Sequence, residues 1–362
     1  MATRKEVSTM FTTRNWLLTA SLMAFSLLFV LNGCQAPQES TDETALETLD
    51  QSVEMDMQTM MEPDAEAQRE QAVGFYVDAM MLNDLNNRED ALRKLNRAIE
   101  LDSHFALAYS LKGDILQDME QFEDSADAYE KATEMDPWSF KDFFNLGKVT
   151  QVIKQFARAV KAYVAACNLE PEHYPAHLGA AQCYYELKEY DNSMAYAQKA
   201  KELGPDQAAP EQLLGDLFEA DKNHPEAINA YRRALELEGN KPEIMISLAR
   251  AYLRSGRYSS AKELLTDVII MEGDNCLAHQ YLGFAQLKLK DTQSAVDSYK
   301  QAVTIDDEDW MAHKGLGVAY MLLSMKNNDQ TLQAMATEQW GISLQIKPDQ
   351  PKLQKLMERY TN

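Results

Sequence analysis

Residues 140–171 read FKDFFNLGKVTQVIKQFARAVKAYVAACNLEP. Within them, Phe143-Phe144-Asn145-Leu146-Gly147 is followed by Phe156, Ala159, Tyr163, Ala166 and Pro171. That order of bulky and small residues returns along the chain. Small residues stand at Ala79, Gly113, Gly147, Ala181, Gly215, Ala249, Gly283 and Gly317, each 34 residues after the last. A second column, twelve residues on, reads Ala91, Ser125, Ala159, Ser193, Ala227, Ala261 and Ala295, and a third reads Ala98, Ala132, Ala166, Ala200, Ala234, Val268 and Ala302. Units close on Pro137, Pro171, Pro205 and Pro348, or on Gly239 and Gly273. Columns in one register across eight units make internal repetition the governing feature of the chain.

Each column has a physical reason. Two short helices approach closely only where the side chains at their crossing are small. The first two columns supply that crossing within a helix pair, and the third lets the next pair dock. Pro lacks the N–H that would continue a helix, and Gly is expected to take a left-handed cap. Tyr109, Phe143, Tyr129, Tyr163, Tyr231, Tyr299 and Trp340 fill the wider gaps.

At these residues the chain resembles the tetratricopeptide repeat family, with its 34-residue period and small-residue columns. The resemblance covers residues 72–348. It implies an all-α fold, a right-handed superhelical α-solenoid of about eight 34-residue helix-turn-helix repeats, whose first helices line a concave groove. The solenoid is assigned to residues 67–348. The last unit departs from the period: Ser324–Gln330 is inserted and Pro348 arrives seven residues late. Seven residues make about two helical turns, so one added turn on each helix preserves the pairing. Residues 349–362 read as a C-terminal capping helix, with Leu353, Leu356 and Met357 inward and Lys352, Lys355 and Arg359 outward.

Upstream, Arg4, Lys5 and Arg14 precede an apolar run from Trp16 to Leu31. Sixteen residues suit the core of a secretory signal better than a bilayer span, which needs about 20. The run ends in Leu31-Asn32-Gly33-Cys34, which resembles the bacterial lipobox. That resemblance implies removal of residues 1–33 as a signal peptide and lipidation of Cys34. Gln35, in place of an inner-membrane-retaining Asp, implies the outer membrane. Two or more acyl chains anchor stably. Residues 34–66 read as a tether: positions 35–66 hold ten acids and no Lys or Arg, so the segment repels itself and stays solvated. Leu46, Leu49, Val53, Met57 and Met60 nevertheless recur at helical spacing.

Charge excludes some functions. The chain carries 35 Lys+Arg against 57 Asp+Glu, a net charge of -22, and -24 once residues 1–33 are gone. Such a chain does not gather the cations that nucleic acid requires, nor a polybasic grip on lipid headgroups. Four cysteines make no disulfide scaffold in 362 residues. Cys167 and Cys183 fall on helices expected to be neighbours, which leaves a disulfide open to them in an oxidising compartment, and the favoured reading is that both are small apolar fillers. His177, His279 and His313 share the fourth place of their units with Phe75, Tyr109 and Phe143, a packing position. No metal site follows, because zinc needs three or four converging ligands. No Walker loop, HExxH pair or GxSxG elbow occurs. The reading is therefore no enzyme, no cofactor and no small-molecule substrate.

With the first column as the eighth place of each unit, the resemblance puts places 2, 5, 9, 12 and 13 of the first helix on the groove. Early units contribute Ser110, Asp114, Gln117 and Asp118, then Lys141, Phe144, Lys148 and Gln151. The later units are basic and apolar, and Ile246, Arg250, Leu253, Arg254, Phe284, Lys288, Lys314 and Val318 are the candidate partner-binding residues. They suit acidic, partly apolar protein segments, with charge steering the encounter. The expectation is an exported, lipid-anchored scaffold that holds proteins together in a bacterial envelope complex, facing the periplasm. The alternatives are a self-associating envelope element and a polysaccharide-binding accessory using rings such as Tyr185 and Phe284.

Overall fold

The structure is a computed structural model that describes residues 63–361; the reading of residues 1–62, Cys34 included, lies outside them. The described residues form helices and turns with no strand. In antiparallel pairs these are α1 (Pro63–Asp84) with α2 (Arg88–Leu101), α3 (Ala106–Asp118) with α4 (Phe122–Met135), α5 (Phe140–Val152) with α6 (Phe156–Leu169), and α7 (Tyr174–Glu186) with α8 (Tyr190–Leu203). There follow α9 (Ala208–Ala220) with α10 (His224–Glu238), α11 (Pro242–Arg254) with α12 (Tyr258–Met271), α13 (Cys276–Lys288) with α14 (Thr292–Ile305), and α15 (Trp310–Asn327) with α16 (Gln330–Ile346). A final helix, α17 (Pro351–Thr361), closes the row. From α2 onward each helix packs on its sequence neighbours, and α1 shares a core cluster with α2, which makes an α-solenoid of eight pairs and a cap.

The core is a string of small clusters in which size matches between neighbouring helices recur. Tyr163 lies on Gly147 of its own unit and on Gly179 of the next: a Cβ at Gly179 would stand 2.5 Å from the ring. Tyr231 lies on Gly215, Tyr299 on Gly283 and Gly315, and Trp340 on Gly317. Where the first column holds Ala, the residue sixteen places on is smaller: Ala79 goes with Leu95, Ala181 with Ala197 and Ala249 with Leu265. The sixth place of the following unit compensates in turn, Gly179 and Gly315 under the tyrosines but Leu213 beside Ala197. The small first column is thus the seat of a ring as much as a helix crossing. Serines in the second column add a bond: Ser125 and Ser193 are fully buried and donate to the carbonyls of Gly113 and Ala181 at 2.8 Å.

The turn inside each pair repeats as strictly. Asn86, Glu120, Lys154, Lys188, Lys222, Gly256 and Lys290 are all left-handed, 34 residues apart. The following N–H reaches back to the first helix, as Gln155 does to the Thr150 carbonyl at 2.8 Å. A Cβ makes this conformation costly, and only one of the seven is Gly. Lys154, exposed and at φ 59°, is the clean test: Lys154→Gly should stabilise the chain by about 0.5–1 kcal/mol in urea unfolding. The turns between units differ. Gly239 follows α10 with φ 79°, but Gly273 does not take the left-handed cap expected of it. The N–H of Glu272 already closes α12 on the Val268 carbonyl at 2.8 Å.

α1 begins at Pro63, so the last four residues of the stretch read as tether are helical, and the compact unit of the repeats starts at Gln68. Glu66 belongs to the first helical turn, where a carboxylate is favoured by the helix dipole. The inserted residues of the eighth unit go into both of its helices: α15 has 18 residues and α16 has 17, against 13 and 14 in the seventh unit. The cap sits as its pattern implies, with Leu353 buried and Leu356, Met357 and Tyr360 packed on the last core cluster.

Candidate functional site

From α5 to α15, successive first helices touch one another, while successive second helices barely do. The row therefore bends toward its first-helix side, and that side is the groove. Its N-terminal stretch is closed by its own polar bonds. Ser110 donates to Asp142 at 2.6 Å, and Lys141 meets Asp114 at 2.5 Å. Asp114 also accepts from the Tyr129 hydroxyl at 2.7 Å, while burial and this carboxylate push the phenol well above its usual pKa. Between α5, α7 and α9 a recess of about 440 Å³ is lined by Gln151, Gln182, Tyr185, Gln212 and Asp216. Gln151 donates to Gln182 there at 3.0 Å.

The eight candidate residues divide. Arg250 meets Asp216 of the preceding unit at 3.4 Å, and Arg254 meets the buried Glu219 at 2.5 Å. His224 bonds the other oxygen of Glu219 at 2.7 Å. Burial raises the Asp216 pKa, opposed by the Tyr231 hydroxyl and by Arg250. These arginines bind unit to unit, and their charge is already met. Leu253 is only 8 % exposed and belongs to the core, with Ile246 packed on the same cluster. Leu253 is not on the lining: the twelfth place is buried here, as it is at Glu219 and Met321.

Farther on the surface is open. Phe284 is 39 % exposed, with the Lys288 ammonium 5.3 Å from its ring centre. Lys314 and Lys347 stand 5.7 and 4.3 Å from the ring centre of Trp310. None of these three lysines has a carboxylate partner among the described residues. Val318 is half-buried beside them. Leu277, Met311 and Leu322, exposed large side chains on the same helices, were missed by the candidate set. Leu277 and Met311 fill the second place and Leu322 the thirteenth, so the place pattern itself was the signal. The usable surface is therefore apolar and cationic, and it spans α13 and α15 with Lys347 just beyond α16.

The histidines do more than fill space. The Nε2 atoms of His177, His279 and His313 donate to the carbonyls of Pro171, Gly273 and Asp307, six residues earlier, at 2.9–3.0 Å. Each pins its helix to the preceding turn, which a phenyl ring in that place cannot do. His173 caps α7 through the Ala176 N–H at 3.2 Å. Among the described residues no group of three His, Cys, Asp or Glu could hold a metal. Cys167 and Cys183 are free and buried, and burial pushes their thiols up to about 11 and about 12. No described helix is long and apolar enough to cross a membrane.

The chain is similar to known proteins along this body. It is 25 % identical over 186 residues to human protein O-mannosyl-transferase TMTC1, covering 49 % of this chain and 20 % of that protein. It is 28 % identical over 134 residues to small glutamine-rich tetratricopeptide repeat-containing protein 2 of Mycosarcoma maydis, covering 36 % and 38 %. The chain thus spans well under half the length of either relative. Its fold matches a chain of the APC/C hetero-tetramer Cut9-Hcn1 with a TM-score of 0.54 at 17 % identity, over 76 % of this chain and 53 % of that one. The profile of the cilia and flagella-associated protein 70 C-terminal domain matches residues 44–316, starting inside the stretch read as tether. With three-quarters of its length matched and its helix pairs in a 34-residue register, the chain belongs to that tetratricopeptide-repeat domain family.

Proposed function

We propose that this tetratricopeptide-repeat scaffold is an exported bacterial lipoprotein, anchored through Cys34, that holds protein partners in a cell-envelope complex without catalysis. The observation that carries the binding half is the surface of α13 and α15, where Lys288 lies over Phe284 and Lys314 over Trp310, with Leu277 and Met311 exposed on the same helices. Exposed apolar groups beside ammonium groups with no carboxylate partner suit an acidic, partly apolar protein segment. The anchoring half rests on Leu31-Asn32-Gly33-Cys34 after its apolar run. The acidic stretch that follows would hold the body off the lipid surface.

Metabolic labelling with radioactive palmitate in a bacterial host tests the anchor. Wild-type chain is expected to carry label and to sediment with the envelope, and Cys34→Ala to lose both. Label retained by Cys34→Ala, or absent from wild type, overturns the anchor. The groove is tested by cross-linked capture from envelope extract. Prey lost with Lys288→Glu/Lys314→Glu but kept with Arg254→Gln supports this surface; prey indifferent to the lysines places binding elsewhere.

A further inference from the structure

Residues 39–62 hold eight acids and no Lys or Arg, interleaved with Leu46, Leu49, Val53, Met57 and Met60. That is the chemistry the α13–α15 surface lacks and would attract. We infer that the groove of one copy takes the acidic, apolar-studded segment 39–62 of a second copy, so that the protein links to itself, a reading that rests on the groove proposed above. Charge carries the argument first. A chain of net charge -22 repels its copies over most of its surface. Lys288 over Phe284, and Lys314 and Lys347 over Trp310, are the cations that α13, α15 and the end of α16 offer against this, since Arg250 and Arg254 are taken up by Asp216 and Glu219.

The apolar match is the second argument. Phe284, Leu277, Met311 and Leu322 are exposed rings and unbranched or singly branched chains. Methionine and leucine pack adaptably on such a surface. Asp309, which accepts from Gln280 of α13 and caps α15, already has its carboxylate engaged within the protein. Copies anchored side by side on one membrane would meet at a high effective concentration, so a weak contact would suffice.

The test is sedimentation velocity of the full chain in detergent, across a wide concentration range and at low and high salt. Wild type should associate with rising concentration, less so at high salt. Lys288→Glu/Lys314→Glu should weaken association about tenfold or more. A tether variant with Glu43, Glu47, Asp50 and Glu54 changed to Lys should weaken it likewise. Mixing the two variants should restore association, because the intact acidic tether of the groove variant meets the intact lysine groove of the tether variant. A chain monomeric throughout overturns the inference, as does indifference to the lysine changes. Mixtures that stay apart also overturn it, pointing to a contact within one chain. Cys34→Ala, run alongside, separates this outcome from the anchor: association that persists without lipid leaves the inference standing even if labelling fails.

Discussion

Tyr163→Ala is expected to destabilise the chain by about 3–5 kcal/mol, the range for emptying a large aromatic site. The ring is 2 % exposed, lies on two glycines from consecutive units, and its hydroxyl donates to Gln151 at 2.8 Å. Neither glycine has a side chain to move into the space. Tyr163→Phe keeps the ring and loses one hydrogen bond, so about 1 kcal/mol should suffice there. The decisive variant is the double one. Tyr163→Ala with Gly179→Leu recreates the match already present at Ala197 and Leu213, and it also removes a glycine from a helix interior. Gly179→Leu alone must force its Cβ into the ring, so both single changes are damaging while the pair recovers much of the loss. Urea unfolding should give a coupling of about 2–3 kcal/mol. Additive losses would mean that the three-residue match does not govern this junction.

The second large effect concerns the cap. Removing residues 350–362 strips Leu353, Leu356, Met357 and Tyr360 from the last core cluster and uncovers Trp340, whose ring centre lies 6.3 Å from that of Tyr360. It also deletes Gln350, which donates to the Ser343 carbonyl, the Ser343 hydroxyl and the Lys347 carbonyl, each at 3.0 Å. Losing one fully buried leucine costs about 1.5–3 kcal/mol before the partly buried neighbours are counted. In a stack each unit leans only on its neighbours, so damage should stay local. Hydrogen exchange should show α15 and α16 losing protection while α3 to α9 keep theirs. Uniform loss along the row would mean that the units fold as one block.

The fold was legible because packing writes a period. A glycine under a tyrosine recurs at a fixed distance whatever surrounds it, and Gly147 with Tyr163 can be read without coordinates. The late Pro348 likewise announced the two longer helices. What the period hid was the partner of each group. Arg250 and Arg254 looked free because their acids, Asp216 and Glu219, lie more than thirty residues away on another helix. Leu253 looked accessible because the place pattern was carried over whole, whereas the twelfth place is buried here and again at Glu219 and Met321. The left-handed turns were invisible for the opposite reason: lysine occupies four of the seven regular positions, and lysine carries no turn signal. The three histidine bonds were hidden because ring shape and ring chemistry are both served by the same residue.

The size match has a practical consequence for anyone rearranging this array. At Tyr163 and Tyr299 its three members sit at places 8 and 24 of one unit and place 6 of the next, so a graft cut at the helix-pair boundary splits both. The transplantable cassette is therefore offset from the visible hairpin: it runs from the seventh place of one pair to the sixth place of its successor. Shuffling along those offset seams should yield folded chimeras, whereas libraries cut at the turns would bring rings to bear on side chains too large to receive them.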